Sequence, residues 1–95
     1  RVPLIVGDKA RCIKSIAWCT GAAQGFIEQA VALGVDAYLT GEVSEQTPAV
    51  ALENNLVFIS AGHHATERFG VQALCQHLSA EFGCQHYYIE IDNCV

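Results

Sequence analysis

Two residues of types that bind metal ions stand four positions apart in the segment GHHATER (62–68), namely His63 and Glu67. The segment follows an apolar, strand-like run and opens a helical pattern, and residues four apart on a helix lie on the same face. An imidazole nitrogen and a carboxylate oxygen can then reach one ion, and this mixed set suits Zn, Mn, Fe or Mg according to the remaining ligands. A stable site needs three or more ligands, so the others must come from elsewhere.

The same residues also allow an interpretation without chemistry. A glutamate in the first turn of a helix is favoured by the helix dipole, and His63 and His64 would then fill a surface turn. The spacing HxxxE is common by chance. The spacing alone therefore leaves both interpretations open.

The segment TGEVSE (40–45) is the second candidate for chemistry, because it places Glu42 at the carboxyl end of a predicted strand. A carboxylate in this position can act as a general base, or it can orient a metal-binding side chain by hydrogen bonding to it. In the alternative interpretation, Gly41 makes the turn, and Glu42 and Glu45 are solvated acids at the start of a helix.

The small-residue segment 19–24 resembles a loop before a helix N-terminus, where anions often bind. It contains neither GxGxxG nor GxxxxGK[ST], so tight packing is the favoured interpretation over nucleotide binding. Cys19 is interpreted as a buried, inert thiol rather than a nucleophile.

Strand-like and helix-like patterns alternate along the chain and predict an α/β domain of order β-α-β-α-β-α-β. A short apolar segment at 3–6 precedes the first strand. Strands are predicted at 13–20, which is expected to be buried, and at 37–40, 56–61 and 86–91. Helices are predicted at 24–33, at 47–54, and from 63 or 66 to 82, with glycines at 34 and 83 as stops.

Short connections between these elements favour right-handed crossovers and a mainly parallel sheet flanked by helices. Ser44 or Thr47 caps the second helix, and Thr47 is preferred because Pro48 then occupies the first helical position. Ligands of such sheets bind beyond the carboxyl ends of the strands. The segments Thr20–Gly21, Thr40–Glu42 and Gly62–His64 are therefore expected to converge on one edge.

Composition narrows the classes of function. Apolar residues make up 52% of the chain, and ten acidic against five basic residues give a formal net charge of −5. Nucleic-acid binding is disfavoured, since it needs Lys and Arg to neutralise phosphates, and no apolar run approaches the ~20 residues of a membrane-spanning helix. Five cysteines without a CxxC pair favour free thiols in a reducing cytoplasm. We expect one soluble, cytoplasmic α/β domain over residues 1–95, with surplus apolar surface for an interface.

Two long segments carry a resemblance to a known family. IAWCTGAAQGFIEQAVALGVDAYLTGEVSEQT (16–47), followed by SAGHHATERFGVQAL (60–74), resembles the C-terminal half of the bacterial GTP cyclohydrolase 1 type 2 homologues, the Nif-three-like proteins. Ala22 and Ala23 stand where glycines are frequent in the family, and Cys94 stands where proline is frequent. The resemblance covers nearly the whole chain and implies that it forms one half of a Nif-three-like fold.

The resemblance also implies a site and an assembly. In the family, two related α/β domains face each other around a cluster of two divalent metal ions, and subunits commonly form a toroidal hexamer. His63 and Glu67 match cluster ligands. His64 stands where relatives often have an aromatic residue, so it is expected to line the cleft and not to bind metal. The other ligands in the family are a histidine pair and an aspartate in the N-terminal half, and these motifs are absent from this sequence.

Two functions follow as hypotheses. The first is a metal-binding, hydrolase-like protein in which His63 and Glu67 bind metal and Glu42 supports them, with metal-assisted hydrolysis as the expected chemistry and the small-molecule substrate left open. The cyclohydrolase label is inherited from the family name. The second is a non-enzymatic, oligomeric scaffold or assembly domain whose metal half-site is incomplete.

Overall fold

The structure is a computed structural model that describes residues 1–94 and contains one four-stranded sheet with helices packed on it. The strands are β1 (Leu4–Val6), β2 (Ile16–Trp18), β3 (Ala37–Thr40) and β4 (Val57–Ser60). The helices are α1 (Ile27–Leu33), which follows a 3-10 turn at Gln24–Phe26, α2 (Thr47–Glu53) and α3 (His63–Phe82). The predicted α/β class is confirmed.

The sheet has the order β1-β4-β3-β2, and helices connect its parallel strands. β2, β3 and β4 are parallel, with Ala17 opposite Tyr38 and Tyr38 opposite Phe58, whereas β1 runs antiparallel to β4. α1 connects β2 to β3, and α2 connects β3 to β4. The prediction of a mainly parallel sheet is confirmed.

The core lies between the two short helices and the central strands. Phe58, Leu56 and Tyr38 are its largest members, and they pack with Ile27 of α1 and Ala51 of α2. The Tyr38 and Phe58 ring centroids are 6.1 Å apart. The buried Tyr38 hydroxyl donates to the carbonyl oxygen of residue 23 at 2.7 Å, so its polar end is satisfied. This packing fixes the two central strands, whose carboxyl ends carry the candidate site.

A carboxylate at the amino end of β3 holds the loop that precedes β2. Asp36 accepts hydrogen bonds from the main-chain N–H groups of Lys14 at 3.0 Å and Ser15 at 2.9 Å, and from the Ser15 hydroxyl at 3.0 Å. The Arg11 guanidinium contacts its second oxygen at 2.7 Å. The Lys14 and Ser15 bonds, with Arg11, lower the pKa of Asp36 to about 2.

The ends of the helices follow the sequence signals closely. α1 is followed by Gly34 at φ 69° and α3 by Gly83 at φ 66°, both in the left-handed region where glycine carries no Cβ penalty. α2 differs by one position from the prediction, because Thr47 is its first helical residue and Gln46 precedes it. The Thr47 hydroxyl accepts a hydrogen bond from the Ser44 N–H at 3.1 Å, outside the helix.

The predicted strand at 86–91 is wrong, because this segment pairs with no strand among residues 1–94. Glu90 contacts His64 of α3, and Tyr88 donates to Glu90, whereas Tyr87 and Ile89 are strongly exposed. A period of two does not by itself provide a partner strand.

The N-terminal part of the sheet also departs from the sequence pattern. The segment at 3–6 contributes β1, which is too short for its periodicity to be visible. The strand predicted at 13–20 is reduced to β2, and the expectation that it is buried is wrong, since Ile16 is 45% and Trp18 70% exposed. β2 is an edge strand, and Ile16 and Trp18 lie on the face of the sheet opposite to the one on which Ala17 packs against the core.

α3 is the longest helix and the one least covered by the rest of the chain. It has no fully buried residue, and Phe69, Leu74 and Phe82 are all exposed. Within residues 1–94, no helix combines the length and the apolar character needed to cross a membrane. Part of the exposed apolar surface of the chain therefore lies on this helix, and other exposed apolar residues, such as Trp18 and Ile89, lie outside it.

Candidate functional site

The carboxyl ends of β2, β3 and β4 meet at one edge of the sheet, as their sequence positions predicted. The Gly41 N–H donates to the Gly21 carbonyl at 3.1 Å, and the Gly62 N–H donates to the Gly41 carbonyl at 3.0 Å. The buried hydroxyls of Thr40 and Ser60 donate to the same two carbonyls, each at 3.1 Å. The three loops that leave the strands are therefore joined into one rigid platform.

His63 is the first residue of α3, and its ring lies between two carboxylates on this platform. Its Nδ1 is 2.6 Å from Glu42 Oε1, and its Nε2 is 3.0 Å from Glu67 Oε2. The helix supplies the second contact through the spacing of four residues, and the loop after β3 supplies the first. The three predicted site residues are therefore brought together.

Two carboxylates face a single imidazole in this cluster, so negative charge exceeds positive charge. The hydrogen bond with Glu42 raises the pKa of His63, partial burial opposes this effect, and the charge of Glu67 adds to it. A neutral imidazole donates from only one nitrogen. When Nδ1–H donates to Glu42, Nε2 presents a lone pair beside the Glu67 carboxylate. That arrangement of a nitrogen and an oxygen donor side by side is favourable for a cation.

The donor pair fits a divalent metal ion. Bonds from Zn to imidazole nitrogen and carboxylate oxygen are about 2.0–2.2 Å long, so two donors of one ion lie roughly 3 Å apart. The separation of His63 Nε2 and Glu67 Oε2 is 3.0 Å. Glu42 lies against the opposite ring nitrogen, in the position of a carboxylate that fixes the orientation of a metal-binding histidine.

The pair is not a complete metal site by itself. Among residues 1–94, no group of three or more His, Cys, Asp and Glu side chains is arranged to hold a metal ion. Glu42, His63 and Glu67 do not form such a group, because the two carboxylates contact opposite edges of the ring. These residues can therefore provide two donors to a site that needs others.

Two glycines keep this platform free of side chains. A Cβ at Gly21 would lie 2.9 Å from Glu67 Oε1 and 3.1 Å from His63 Nε2, and the φ of this glycine is +72°. A Cβ at Gly41 would lie 2.7 Å from the Gly21 carbonyl oxygen and 2.7 Å from His63 Cα. Both glycines are recognisable in the sequence as residues at strand ends, but their steric role depends on contacts across the sheet.

A cleft of about 610 Å³ opens beside the donor pair. Its volume is in the range of small-molecule sites. Its walls combine His63 and Glu67 with His64, Arg68 and Tyr88 and with the apolar side chains of Val71, Ile89 and Ile91. His64 lines this cleft, and its Nε2 is 2.9 Å from Glu90 Oε1.

The remaining sequence candidate lies elsewhere. Cys19 lines an apolar groove with Trp18, Phe26 and Tyr38, and it is half-buried. Its groove contains none of the histidines. Glu90 and Arg68 were not singled out from the sequence, because the contact between α3 and residue 90 spans more than twenty positions.

Comparison with known sequences shows which proteins this chain is similar to. The family model Duf34/NIF3 (NGG1p interacting factor 3) matches residues 1–94. A Pseudomonas aeruginosa protein named GTP cyclohydrolase 1 type 2 homolog is 60% identical over 93 residues, which cover 98% of this chain and 36% of that protein. An Allochromatium vinosum protein of the same name is 57% identical over 93 residues, with 98% and 37% coverage. The chain thus spans a little over a third of the length of these relatives.

Solved structures agree with the sequence comparison. The structural-genomics protein ybgI, of unknown function, superposes with a TM-score of 0.92 at 47% identity over 98% of this chain and 38% of that one. TTHA1606 from Thermus thermophilus gives 0.87 at 28% identity, with 98% and 37% coverage. Reduced HcgD from Methanocaldococcus jannaschii gives 0.73 at 30% identity, with 85% and 34% coverage.

Proposed function

The chain belongs to the Duf34/NIF3 family, and we propose that it is a metal-binding, hydrolase-like member in which His63 and Glu67 hold part of a site for two divalent metal ions. The family resemblance derived from the sequence is confirmed. The observation that carries the proposal is the 3.0 Å approach of His63 Nε2 to Glu67 Oε2 beside an open cleft. Zn, Mn, Fe and Mg are the candidate ions.

Each of the three side chains has a distinct role in the proposed site. His63 Nε2 and a Glu67 oxygen are the donors. Glu42 is a positioning residue, because it accepts the Nδ1 proton of His63 and so selects the tautomer whose Nε2 lone pair is free. A role of Glu42 as a general base has less support, since one of its oxygens is already engaged with His63.

The remaining donors must come from outside these 95 residues, from a further domain or from a partner chain. Bound metal ions would supply Lewis acidity and a water molecule of lowered pKa, which is the chemistry of metal-assisted hydrolysis. This chain's residues would orient the donors and form one wall of a cleft for a small-molecule substrate. The proposal includes no specific reaction on GTP.

We further propose that the protein forms an oligomer in the cytoplasm, and its cysteines and exposed apolar residues support this. All five cysteines are free, which is compatible with a reducing compartment. The exposed apolar residues of α3, including Phe69, Leu74 and Phe82, offer a surface for a neighbouring domain or subunit. The same surface favours the second candidate function, a non-enzymatic assembly domain. A toroidal hexamer is the assembly that the family resemblance suggests.

The test of the proposed function is the metal content of the full-length protein, together with whatever domain or partner chain supplies the other donors, purified without chelator, for wild type and for Glu67→Ala. We expect near-stoichiometric metal in the wild type and a loss of most of it in the variant, because one of the two donors is removed. Elemental analysis measures both. Glu81→Ala is the matched control, since it removes an exposed glutamate from the far end of α3.

Two results would separate the candidate functions. Metal that is lost in Glu67→Ala but kept in Glu81→Ala supports the metal-binding function, and hydrolase assays on the loaded protein follow from it. Metal that is absent from the wild type, or unchanged in Glu67→Ala, contradicts it. In that case the assembly function is favoured, and circular dichroism of all three proteins confirms that folding is not the cause.

A further inference from the structure

A second polar cluster lies beside the donor pair and is not used by the proposed metal site. His64, Arg68 and Tyr88 all line the cleft, and all three contact the carboxylate of Glu90. The Tyr88 hydroxyl donates to Glu90 Oε2 at 2.6 Å, His64 Nε2 lies 2.9 Å from Oε1, and Arg68 Nη1 lies 3.5 Å from Oε1. One carboxylate is therefore surrounded by three groups that can donate to it.

The carboxylate comes from a segment that makes no sheet contact. Residues 84–94 belong to no helix or strand of the described chain. The hydrogen bond from Tyr88, followed by that from His64, lowers the pKa of Glu90 to about 2, so the group is ionised at neutral pH. The donor set thus binds a carboxylate in this structure, and the carboxylate that it binds is the chain's own.

Arg68 is incompletely used in this arrangement. Its guanidinium lies 5.3 Å from the centroid of the Phe69 ring, and its contact with Glu90 is long, at 3.5 Å. A guanidinium has five N–H donors and binds carboxylate or phosphate best through two parallel bonds. Arg68 therefore has the capacity to bind an anion more closely than it binds Glu90.

The position of the cluster on α3 relates it to the donor pair. His63 and Glu67 form one pair four residues apart, and His64 and Arg68 form a second pair one residue later. Successive residues of a helix are turned by about 100°, so the two pairs lie on adjoining faces. The first pair suits a cation and the second suits an anion, and both border the same cleft.

We propose that His64, Arg68 and Tyr88 form an anion-binding subsite of the cleft, in which the Glu90 carboxylate occupies the position that an acidic group of the substrate takes. This inference rests on the proposed function and adds a substrate class to it, a small organic anion with an apolar body. Val71, Ile89 and Ile91 provide the apolar wall for that body. The acidic group is an oxyanion, a carboxylate or a phosphate.

The test is a calorimetric titration of the full chain with two probes, sodium benzoate and inorganic phosphate. Glu90→Ala removes the internal carboxylate, and we expect the affinity for at least one probe to rise about tenfold, because charge-assisted hydrogen bonds become available to the added anion. Arg68→Gln in the same background is expected to remove this gain. Glu81→Ala changes the net charge equally and is expected to leave the affinity within about twofold of wild type.

The probes distinguish the two sources of the oxyanion. A gain for benzoate alone indicates a carboxylate substrate, a gain for phosphate alone indicates a phosphate ester, and a gain for both indicates a general oxyanion site. Absence of any gain in Glu90→Ala overturns the subsite, and so does a gain that survives Arg68→Gln. Both results can be interpreted without knowing which reaction the protein catalyses.

Failure of the subsite and failure of the metal site give different results. The titration is run on the protein as purified and again after chelator treatment, with metal content measured in every sample. Glu90→Ala and Arg68→Gln are expected to retain the wild-type metal content, because neither side chain is in the donor pair. If Glu67→Ala keeps its metal, the proposed function fails, and the titrations of the chelated protein still decide the anion subsite.

Discussion

Opposite ends of the central strand β3 each carry a carboxylate cluster, and the two clusters differ in how their charge is satisfied. At the amino end, Asp36 accepts bonds from Lys14 and Ser15 and pairs with Arg11. Every one of these donors comes from the loop before β2. The negative charge of Asp36 is therefore satisfied by groups of the chain itself.

At the carboxyl end, two carboxylates share one imidazole. Glu42 and Glu67 approach the two nitrogens of His63 at 2.6 and 3.0 Å, so two carboxylates share a ring that carries at most one positive charge. Gly21 and Gly41 have no Cβ, and a Cβ at either position would collide with these groups or with the backbone beside them. The contrast shows that an excess of negative over positive charge, held on a rigid platform, marks the end of the sheet that is suited to a cation.

The substitution with the largest expected effect tests the rigid platform. Gly41→Ala places a Cβ 2.7 Å from two backbone atoms, which cannot move as a side chain can, so we expect a loss of about 2–3 kcal/mol in the free energy of unfolding. Gly70→Ala is the control, because a Cβ there meets nothing within 4 Å and should stabilise α3 by about 0.5–1 kcal/mol. Urea denaturation measures both, and equal stability of Gly41→Ala and wild type would contradict the account.

One conservative substitution at each end of β3 tests whether the two carboxylate clusters differ in metal binding. Glu42→Gln is expected to weaken metal binding by about 10–100-fold, because the partner that orients His63 loses its charge. Asp36→Asn is expected to leave metal binding unchanged and to lower the unfolding midpoint. Metal titration and thermal unfolding are measured on both proteins. A loss of metal affinity in Asp36→Asn would show that the two ends are not independent.

A smaller effect is expected at Gly21, where backbone strain and crowding of the donors can be separated. Gly21→Ala forces a residue with a Cβ into φ +72°, which costs about 1–2 kcal/mol, and places that Cβ against the donor pair. Gly21→Asn tolerates this φ better but keeps the Cβ. We therefore expect Asn to recover part of the stability and none of the metal affinity. Recovery of metal affinity in Gly21→Asn would rule out crowding as the reason for glycine.

The smallest expected effect concerns acid stability at the Asp36 end. The pKa of Asp36 is lowered from its ordinary value of 3.8 to about 2, so the folded state binds fewer protons than the unfolded state between these values. Its contribution to stability is complete above 3.8 and is lost as the pH falls through 2. Glu90 has a similarly lowered pKa, so the measurement is the difference between wild type and Asp36→Asn. That difference should shrink from pH 5 to pH 2, and a constant difference would argue against the Asp36 network.

The contacts among the candidate site residues were predictable from the sequence where their geometry is local. His63 and Glu67 share one helical turn, and the spacing alone placed both side chains on one face. Glu42 required only the rule that parallel strands end at one edge. The positions of Gly34 and Gly83 at helix ends were also predictable, since glycine readily adopts the left-handed conformation found there.

The features that sequence reasoning missed depend on partners distant in the chain. Asp36 meets its donors more than twenty positions away, and His64 meets Glu90 across 26 positions. The alternation at 86–91 gave no information about whether a free strand edge was within reach. The exposure of Trp18 could not be seen either, because an apolar strand has the same composition at an edge as in the centre.

The central claim is that His63 and Glu67 bind one metal ion while Glu42 accepts a hydrogen bond from His63 Nδ1 and so fixes the orientation of the ring. Anomalous X-ray diffraction from crystals of the full-length protein, with the domain or partner chain that supplies the other donors, soaked with Mn²⁺ or Zn²⁺, tests it most directly. The account predicts an anomalous peak at bonding distance from His63 Nε2 and a Glu67 oxygen, with Glu42 still hydrogen-bonded to Nδ1. A peak bound through Nδ1 and Glu42, or a peak away from His63, would contradict it.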